Sequence, residues 1–352
     1  MVGGADDVPG KPLTGIKEVA RIAGVSLGTV SNVLNRPEKV SPATRTRVEA
    51  VIDRLGFVPN STAAELRRGH GRLIGLVVPD ITNPFFGEVA RGAVDVAFAA
   101  GYVVVLCNSD GDAVRESRYL EVLEEQRAAG VLFNPVGKVP PRIERLRERG
   151  GRVVFVDRAV AAQEYCSASV DDVHGGQLAI EHLLGCGASK LVMINGPRSL
   201  RQCADRRRGA RRAVKSAGLP ETALTEVVSD VMSIAGGVEG ATRALKLRPD
   251  LDALFCANDL LAIGAIRVLQ GARDVPRDVS VIGYDDIAIA ADSTVPLTSV
   301  AQPKYELGRA AGELLLREIR DGEHHRHERI LFQPEVTVRS STRSAAQAMA
   351  RR

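Results

Sequence analysis

The stretch at residues 15–35 constrains the fold most, because apolar residues recur at helical spacing on both sides of a glycine. It reads GIKEVARIAGVSLGTVSNVLN. The pattern up to Ala23 predicts one apolar face of a short helix, and Gly24 permits the tight turn that follows. Ser26 is a good N-cap for a second helix over residues 27–34. Two short helices joined by a glycine-containing turn form a helix-turn-helix.

A third helix is predicted to follow this pair. Ser41 supplies an N-cap and Pro42 stands at the first helical position. The inner face of this helix is formed by apolar residues at helical spacing, namely Val48, Val51, Ile52 and Leu55. Such a unit has too small a core to do much beyond docking, and its second helix would fit the DNA major groove. The alternative is an ordinary helical hairpin at the edge of a larger core.

From residue 73 onward the pattern changes to continuous apolar strands that alternate with helices. Strands are predicted at 73–79, 102–108, 130–135, 152–157, 190–196, 225–230, 252–259 and 278–286. Helices are predicted at 87–100, 113–129, 173–186, 204–217, 234–247 and 260–270. This alternation indicates doubly wound parallel sheets, and its length favours two α/β lobes. A helix at 305–320 and a strand at 329–339 would close the two lobes.

Charge is concentrated at the amino-terminal side of the chain. Residues 14–72 carry ten Lys or Arg against five Asp or Glu, a net charge of +5, whereas the whole chain has only +4. A small basic unit indicates a phosphate-binding surface. No apolar run approaches the length of a membrane span, and the amino-terminal residues lack an export signal, so we expect a cytoplasmic protein.

Polar and aromatic side chains follow the predicted strands, where ligands bind in such sheets. The group consists of Asn83, Phe85, Phe86, Asp157, Arg158, Arg206, Asn258, Asp285 and Gln302. Carboxylates, amides and guanidinium groups pair with vicinal hydroxyls, and aromatic rings cover apolar ring edges. These residues therefore favour recognition of a sugar, although each one taken alone could be a helix cap, a core residue or a solvated side chain.

The motifs together resemble the LacI/GalR family of transcriptional repressors. The resemblance rests on VARIAGVSLGTVSNVLN, on VSP at 40–42, on GFVPN at 56–60, and then on NPFF, VDR, AND, GYDD and AQP at 83–86, 156–158, 257–259, 283–286 and 301–303. It implies a core of the periplasmic-binding-protein type over residues 72–340. It also implies that the residues following the strand ends contact a sugar, as in ribose-type binding proteins. The ribose-type binding proteins have an aromatic residue near the position of Met232, so this chain departs from them there. We expect the ligand to be a pentose or a related sugar.

The resemblance also implies which residues contact DNA. Leu27, Gly28 and Asn32 would face the bases, with Leu27 on a thymine methyl and Asn32 on adenine. The remaining predicted contacts are Thr29, Ser31, Lys39, Arg45, Asn60 and Leu66. Residues 59–71 would form a hinge helix whose Leu66 wedges into the minor groove. The family usually has an arginine where this chain has Ala64.

We therefore predict an effector-controlled DNA-binding regulator, most often a repressor in such families, that acts as a homodimer on a near-palindromic operator. The predicted divisions are a disordered tail at 1–13, the helix-turn-helix unit at 14–58, the hinge at 59–71, the core at 72–340 and a tail at 341–352. Within the core, lobe 1 spans about 72–162 and 302–325, and lobe 2 about 163–301 and 326–340. The alternatives are a solute receptor without DNA function and an enzyme. The sequence contains no GxGxxG motif, P-loop or Ser/His/Asp set.

No cofactor and no metal are predicted. The five cysteines, Cys107, Cys166, Cys186, Cys203 and Cys256, are scattered without metal-ligand spacing and suit reduced thiols. His324, His325 and His327 lie close together in a charged segment. We interpret that segment as a solvated loop rather than a metal site.

Overall fold

The computed structural model of the protein describes residues 15–57, 71–161 and 164–344. The chain divides into two compact units, with the boundary between residues 69 and 70. No helix among the described residues has the length and apolar character that a membrane span requires.

The first unit contains three α-helices and one 3₁₀ turn. The helices are α1 (Ile16–Ala23), α2 (Leu27–Asn35) and α3 (Pro42–Leu55), and the 3₁₀ turn is Pro37–Lys39. Gly24 ends α1 with a φ of 63°, a left-handed conformation that glycine adopts without steric cost. Ser26 caps α2 by accepting the N–H of Thr29 at 3.1 Å, and Ser41 caps α3 by accepting the N–H of Thr44 at 3.4 Å.

The three helices share one small apolar core. Its buried members are Val19, Ala20, Ala23, Val30, Val33, Val48, Val51 and Phe57. The predicted inner faces of the three helices are confirmed, with Ile52 and Leu55 packed half-buried at the margin. Burial of each large aliphatic side chain contributes roughly 1.5–3 kcal/mol. Because the core has so few members, each of them contributes a large share of the unit's stability.

The second unit contains two six-stranded sheets flanked by helices. The strands are β1 (Leu73–Val78), β2 (Val103–Asn108), β3 (Gly130–Phe133), β4 (Arg152–Val156), β5 (Cys166–Val170), β6 (Leu191–Asn195), β7 (Leu224–Val228), β8 (Ala253–Cys256), β9 (Ser280–Asp285), β10 (Thr298–Ala301), β11 (Arg329–Phe332) and β12 (Glu335–Thr337). The helices are α4 (Pro84–Ala99), α5 (Ala113–Glu125), α6 (Arg142–Glu148), α7 (Asp172–Gly185), α8 (Arg201–Ser216), α9 (Ile234–Leu247), α10 (Asp259–Leu269), α11 (Ala288–Ala291) and α12 (Lys304–Asp321), with 3₁₀ turns at Glu221–Ala223 and Gly322–His324.

The first sheet has the strand order β11-β5-β4-β3-β1-β2, and the second has the order β12-β10-β9-β8-β6-β7. All pairings are parallel except β10 with β12. The α/β fold with two doubly wound lobes is therefore confirmed. The chain passes between the sheets after β5, after β10 and between β11 and β12.

The lobe boundaries differ from the prediction at two places. The chain was expected to enter lobe 2 at residue 163, but β5 pairs with β4 in the first sheet and the crossing follows Val170. Strand β5 is fully buried, but its residues are small and partly polar, so the sequence did not predict a strand there. The single strand predicted at 329–339 is divided into β11 and β12, which belong to different sheets. Pro334 separates them, and proline cannot donate to a strand ladder.

Helix α12 lies against α4 so closely that only glycine fits at two contact points. A Cβ atom on Gly92 would lie 2.1 Å from the carbonyl oxygen of Tyr305. A Cβ atom on Gly308 would lie 1.9 Å from the carbonyl oxygen of Val89. Helix α12 also packs on β3, β4 and β5, so although it follows β10 of the second sheet it belongs to the first lobe, and this contact anchors it there.

The segment after α12 is not the solvated loop that was predicted. The side chain of His325 is only 4% exposed, and His327 is half-buried. Both rings fold inward against the start of β5, where Cys166 is fully buried. Only His324 of the three histidines is exposed to solvent.

Candidate functional site

The exposed face of α2 presents the side chains predicted to read bases. Leu27 is 45% exposed although it is a large aliphatic residue. Gly28 and Asn32, about one turn apart on the same helix, are also exposed. Their neighbours Val30 and Val33 point into the core, so the helix has one face packed and the other free. Thr29 and Ser31 are half-buried, and the Thr29 hydroxyl lies 2.9 Å from that of Ser26.

Two predicted phosphate contacts lie beyond α2. Lys39 ends the 3₁₀ turn with its side chain exposed. Arg45 on α3 is also exposed, but its Nε donates to the Glu49 carboxylate at 2.7 Å. An exposed pair of this kind is weak, so a phosphate could displace Glu49. The other two predicted contacts, Asn60 and Leu66, lie outside the described residues, as does Ala64.

In the second unit a cleft of about 440 Å³ opens where the strands of both sheets end. Seven of the nine residues predicted at strand ends line this cleft, namely Asn83, Phe85, Phe86, Asp157, Arg206, Asn258 and Asp285. These residues come from both lobes and are separated by up to 202 positions in sequence. Parallel strands bring their carboxyl ends to one edge, which explains the convergence.

Asp285 is held by amides from both lobes. Its Oδ2 accepts from Asn83 at 3.2 Å, and its Oδ1 accepts from Gln302 at 2.7 Å. Gln302 therefore stands behind Asp285 rather than on the cleft surface, and it orients the carboxylate. Asp285 also has a φ of 101°, an uncommon conformation for a non-glycine residue, which aims its side chain out of the strand. Burial raises the pKa of this carboxyl group, and Arg206 opposes that rise.

Arg206 is the buried cation of the cleft. Its Nε donates to Asp172 at 2.8 Å, and its Nη1 donates to the carbonyl oxygen of Ala257 at 2.6 Å. The guanidinium carbon lies 3.7 Å from the centroid of the Tyr284 ring, which it covers. A second amino group lies 3.8 Å from Asp285, so the guanidinium group joins the two carboxylates. The bonds from Nε and Nη1 and the stacking on Tyr284 fix the plane of the guanidinium group.

Asp157 follows β4 and has a free carboxylate oxygen. Its Oδ2 accepts from Gln202 at 2.8 Å and from Asn134 at 3.2 Å. Its Oδ1 is buried and has no hydrogen-bond partner among the described residues. Burial, together with the charge of Asp172, raises the pKa of Asp157 to about 7. Because Asp157 lines the cleft, its unpartnered oxygen is a candidate acceptor for a ligand hydroxyl.

Gln202 and Asn134 were missed by the sequence reasoning. Asn134 directly follows β3, so the same strand-end rule would have found it. Gln202 lies in the first turn of α8, and only the packing of α8 against the other lobe brings it to Asp157. The Gln202–Asp157 and Asn83–Asp285 hydrogen bonds both cross the cleft and join the two lobes directly.

The remaining predicted ligand-binding residues make different kinds of contact. Asn258 caps α10 through its Oδ1, and its Nδ2 donates to the carbonyl oxygen of Met232 at 2.9 Å. Phe85 and Phe86 stand edge to face with ring centroids 5.0 Å apart. Met232 lines the cleft where an aromatic residue was expected from the resemblance. Arg158 does not line the cleft, because its guanidinium group donates to the carbonyl oxygen of Gly137 at 2.9 Å.

Acidic side chains outnumber basic ones at the cleft. Six carboxylates line it or touch its buried cation, namely Asp80, Asp110, Asp157, Asp172, Asp230 and Asp285, whereas Arg206 is the cation lining it among the described residues. Those carboxyl groups that are ionised would repel an anionic ligand.

The fold and cleft define a class of proteins in which a helix-turn-helix unit precedes a two-lobed ligand-binding unit. The profile described as periplasmic binding proteins and sugar binding domain of the LacI family matches residues 72–339. The profile described as bacterial regulatory proteins, lacI family, matches residues 15–60. The chain belongs to the LacI family of DNA-binding transcriptional regulators.

Individual relatives span almost the whole chain. The ribose operon repressor of Escherichia coli K12 is 38% identical over 309 residues, which cover 86% of this chain and 92% of the relative. The HTH-type transcriptional repressor PurR of Photobacterium profundum is 33% identical over 334 residues, covering 93% and 98%. A LacI family regulator from Enterococcus faecium solved with bound ribose has a TM-score of 0.70 at 29% identity, covering 77% of this chain and 98% of that structure.

Proposed function

We propose that this regulator binds an unphosphorylated sugar of pentose size in the cleft and that the sugar changes its affinity for an operator. The observation that carries the proposal is the unpartnered Oδ1 of Asp157, a residue that lines a cleft with one buried cation and several carboxylates. Vicinal hydroxyls donate to carboxylates and accept from a guanidinium group, so Asp157, Asp285 and Arg206 would hold one face of the ring. Phe85 and Phe86 would cover its apolar edge.

The three similar proteins named above do not all point to the same ligand. The structure with bound ribose and the ribose operon repressor favour a pentose by their names, whereas the repressor PurR does not point to a sugar. The acidic cleft distinguishes between neutral and phosphorylated sugars, because a phosphate dianion would lie among Asp157, Asp285 and their neighbours. We therefore expect ribose-like sugars to bind and their phosphate esters to be rejected.

DNA recognition is assigned to α2. Leu27 would contact a thymine methyl group and Asn32 an adenine, while Gly28 lets the helix backbone approach the groove. Thr29, Ser31, Lys39 and Arg45 would contact phosphates, and Asn60 and Leu66 would act in the predicted hinge. A single α2 reads too few base pairs for useful specificity, so two copies on a near-palindromic operator are required.

A homodimer is supported by an exposed apolar surface on the first lobe. Phe98 is 80% exposed on α4, and Val103 is 63% exposed on the adjacent edge strand β2. Val94 on α4 and Val105 and Leu106 on β2 are also exposed. Large apolar side chains exposed on a helix and on the edge strand beside it are typical of a protein interface, and we assign them to contact with a second copy of the chain.

We infer that the sugar acts by favouring the closed cleft. The two lobes already share the Asn83–Asp285 and Gln202–Asp157 hydrogen bonds, and a bound sugar would add further contacts across the same gap. A decisive shift between two states needs about 5.5 kcal/mol of differential binding, which a few charge-assisted hydrogen bonds supply. In this mechanism the cleft binds its ligand without reacting with it. The regulator would act in the cytoplasm, where its DNA lies.

The test measures operator binding and ligand binding together. An operator is first selected from a random duplex library with the purified protein, and fluorescence anisotropy then follows its binding at fixed salt. Ribose and other neutral pentoses should change the operator Kd at least tenfold and raise the melting temperature, whereas ribose 5-phosphate should do neither. A response to the phosphate ester alone, or to no neutral sugar, would contradict the proposed ligand class. Turnover of the sugar would contradict a purely binding role.

A further inference from the structure

Four metal-ligating side chains converge at the end of the first sheet that lies opposite the cleft. Cys166 is the first residue of β5, Glu318 lies in the last turns of α12, and His325 and His327 follow that helix. One ligand atom from each side chain lies within 4.8 Å of the other three. Two segments far apart in sequence therefore bring one sulfur, one carboxylate oxygen and two imidazole nitrogens to one point.

The spacing of these atoms suits a tetrahedral metal centre. Zinc binds sulfur at about 2.3 Å and nitrogen or oxygen at about 2.0–2.2 Å, so its ligands lie roughly 3.3–3.7 Å apart. The Cys166 sulfur lies 3.1 Å from Nε2 of His325 and 3.8 Å from Nδ1 of His327. Small side-chain adjustments would bring all four ligands to the required distances.

Glu318 provides an independent indication of a cation. Its side chain is only 3% exposed, and its Oε2 has no hydrogen-bond partner among the described residues. A buried carboxylate oxygen without a donor is costly, and such groups are normally paired or coordinate a metal. Glu318 and the two histidines have no part in the cleft or in the helix-turn-helix unit, so neither of those sites accounts for the arrangement.

Two further contacts orient the ligands as in known zinc sites. Nδ1 of His325 lies 3.6 Å from Oδ2 of Asp321, which leaves Nε2 directed at the cluster. The backbone N–H of Glu328 donates to the Cys166 sulfur at 3.3 Å, a bond that stabilises a thiolate. Carboxylates that orient a ligating imidazole are a regular part of metal sites.

We propose that Cys166, Glu318, His325 and His327 bind one zinc-type divalent cation. One thiolate and one carboxylate neutralise the two positive charges, so the assembled site carries no net charge in its buried position. Sulfur and imidazole ligands select zinc or cobalt over magnesium or calcium. Binding releases the thiol proton to solvent and fastens the segment between α12 and β11 to the start of β5.

The experiment uses the full-length chain without a histidine tag, stripped by a chelator and then titrated with Co²⁺ and Zn²⁺. One equivalent of Co²⁺ should produce a thiolate-to-cobalt charge-transfer band and the strong visible bands of four-coordinate cobalt, and one equivalent of Zn²⁺ should abolish both. Zinc should also raise the melting temperature by about 5–10 °C. Absence of these bands together with less than about one-tenth of an equivalent of tightly bound zinc overturns the proposal.

Matched variants separate this site from adventitious binding. Cys166→Ala should lose the charge-transfer band, whereas Cys107→Ala, which alters another buried thiol, should keep it. His325→Ala should lose the stoichiometric site, whereas His324→Ala should not. If Cys166→Ala fails to fold, Asp321→Asn keeps all four ligands and should weaken metal binding about 10- to 100-fold. Equal binding by His325→Ala and His324→Ala overturns the assignment.

Discussion

Replacing Asp157 with asparagine should stabilise the unliganded protein and weaken its binding of the sugar. Asp157 is 5% exposed, and burial together with Asp172 raises its pKa from 3.8 to about 7. The folded protein therefore holds this carboxyl group in its neutral form more readily than the unfolded chain does. As the pH rises through this range, ionisation costs the folded state progressively more than the unfolded state.

The size and sign of the effect follow from that pKa difference. Below about pH 4 the group is protonated in both states, so the carboxyl group causes no difference in stability. Above pH 7 it is ionised in both, and a difference of about three pKa units corresponds to about 4 kcal/mol of lost stability. The amide of Asp157→Asn does not ionise, and its oxygen still accepts from Gln202 and Asn134. The variant should therefore gain stability from pH 4 upward, reaching up to about 4 kcal/mol above pH 7.

Urea unfolding at pH 5, 6, 7 and 8 measures this difference. The chain contains no tryptophan, so far-ultraviolet circular dichroism is the suitable signal. Asp292→Asn is the matched control, because Asp292 is exposed. Stability curves for Asp157→Asn and the unaltered protein that run parallel between pH 5 and 8 would refute the argument from burial.

The same substitution should cost sugar affinity. The amide lacks the negative charge on the free oxygen, and loss of a charge-assisted hydrogen bond costs about 1.5–3 kcal/mol. This corresponds to a Kd about 10- to 150-fold higher, measurable by calorimetry at pH 8. An unchanged sugar Kd, with operator binding intact, would show that Asp157 does not contact the ligand.

Two further predictions concern the operator and the dimer. Asn32→Ala should lose about 1–3 kcal/mol of binding to the selected operator and little to random duplex, as measured by anisotropy on both. Equal losses on the two duplexes would contradict a base contact. Phe98→Glu should convert a dimer to a monomer in sedimentation velocity, because it places a charge in an apolar interface, whereas Val114→Glu, at another exposed valine, should not. A Phe98→Glu protein that stays dimeric would place the interface elsewhere.

Local chemistry was enough to predict the helix-turn-helix unit. Gly24, Ser26, Ser41 and Pro42 act on their immediate neighbours, through backbone freedom and hydrogen bonds within one turn. The inner face of each short helix follows from its apolar spacing. These are short-range effects, so the sequence contains them in full.

The strand-end residues of the cleft were predictable for a different reason. Parallel strands deliver their carboxyl ends to one edge, so Asn83, Asp157 and Asp285 could be grouped before their contacts were known. The same rule included Arg158, whose side chain turns away to Gly137. Strand topology therefore predicts which residues reach the edge but not the rotamer that each adopts there.

Only the tertiary structure decided what depends on packing between distant segments. It placed Gln202 of α8 on Asp157, assigned β5 and β11 to the first sheet, and brought His325 and His327 against Cys166. Each of these positions depends on which surface a neighbouring element covers, and residues separated by up to 162 positions meet there. The spacing of residues along the chain carries no information about such contacts. For this reason the polar composition of the histidine-rich segment predicted a solvated loop, whereas two of its histidines pack against Cys166.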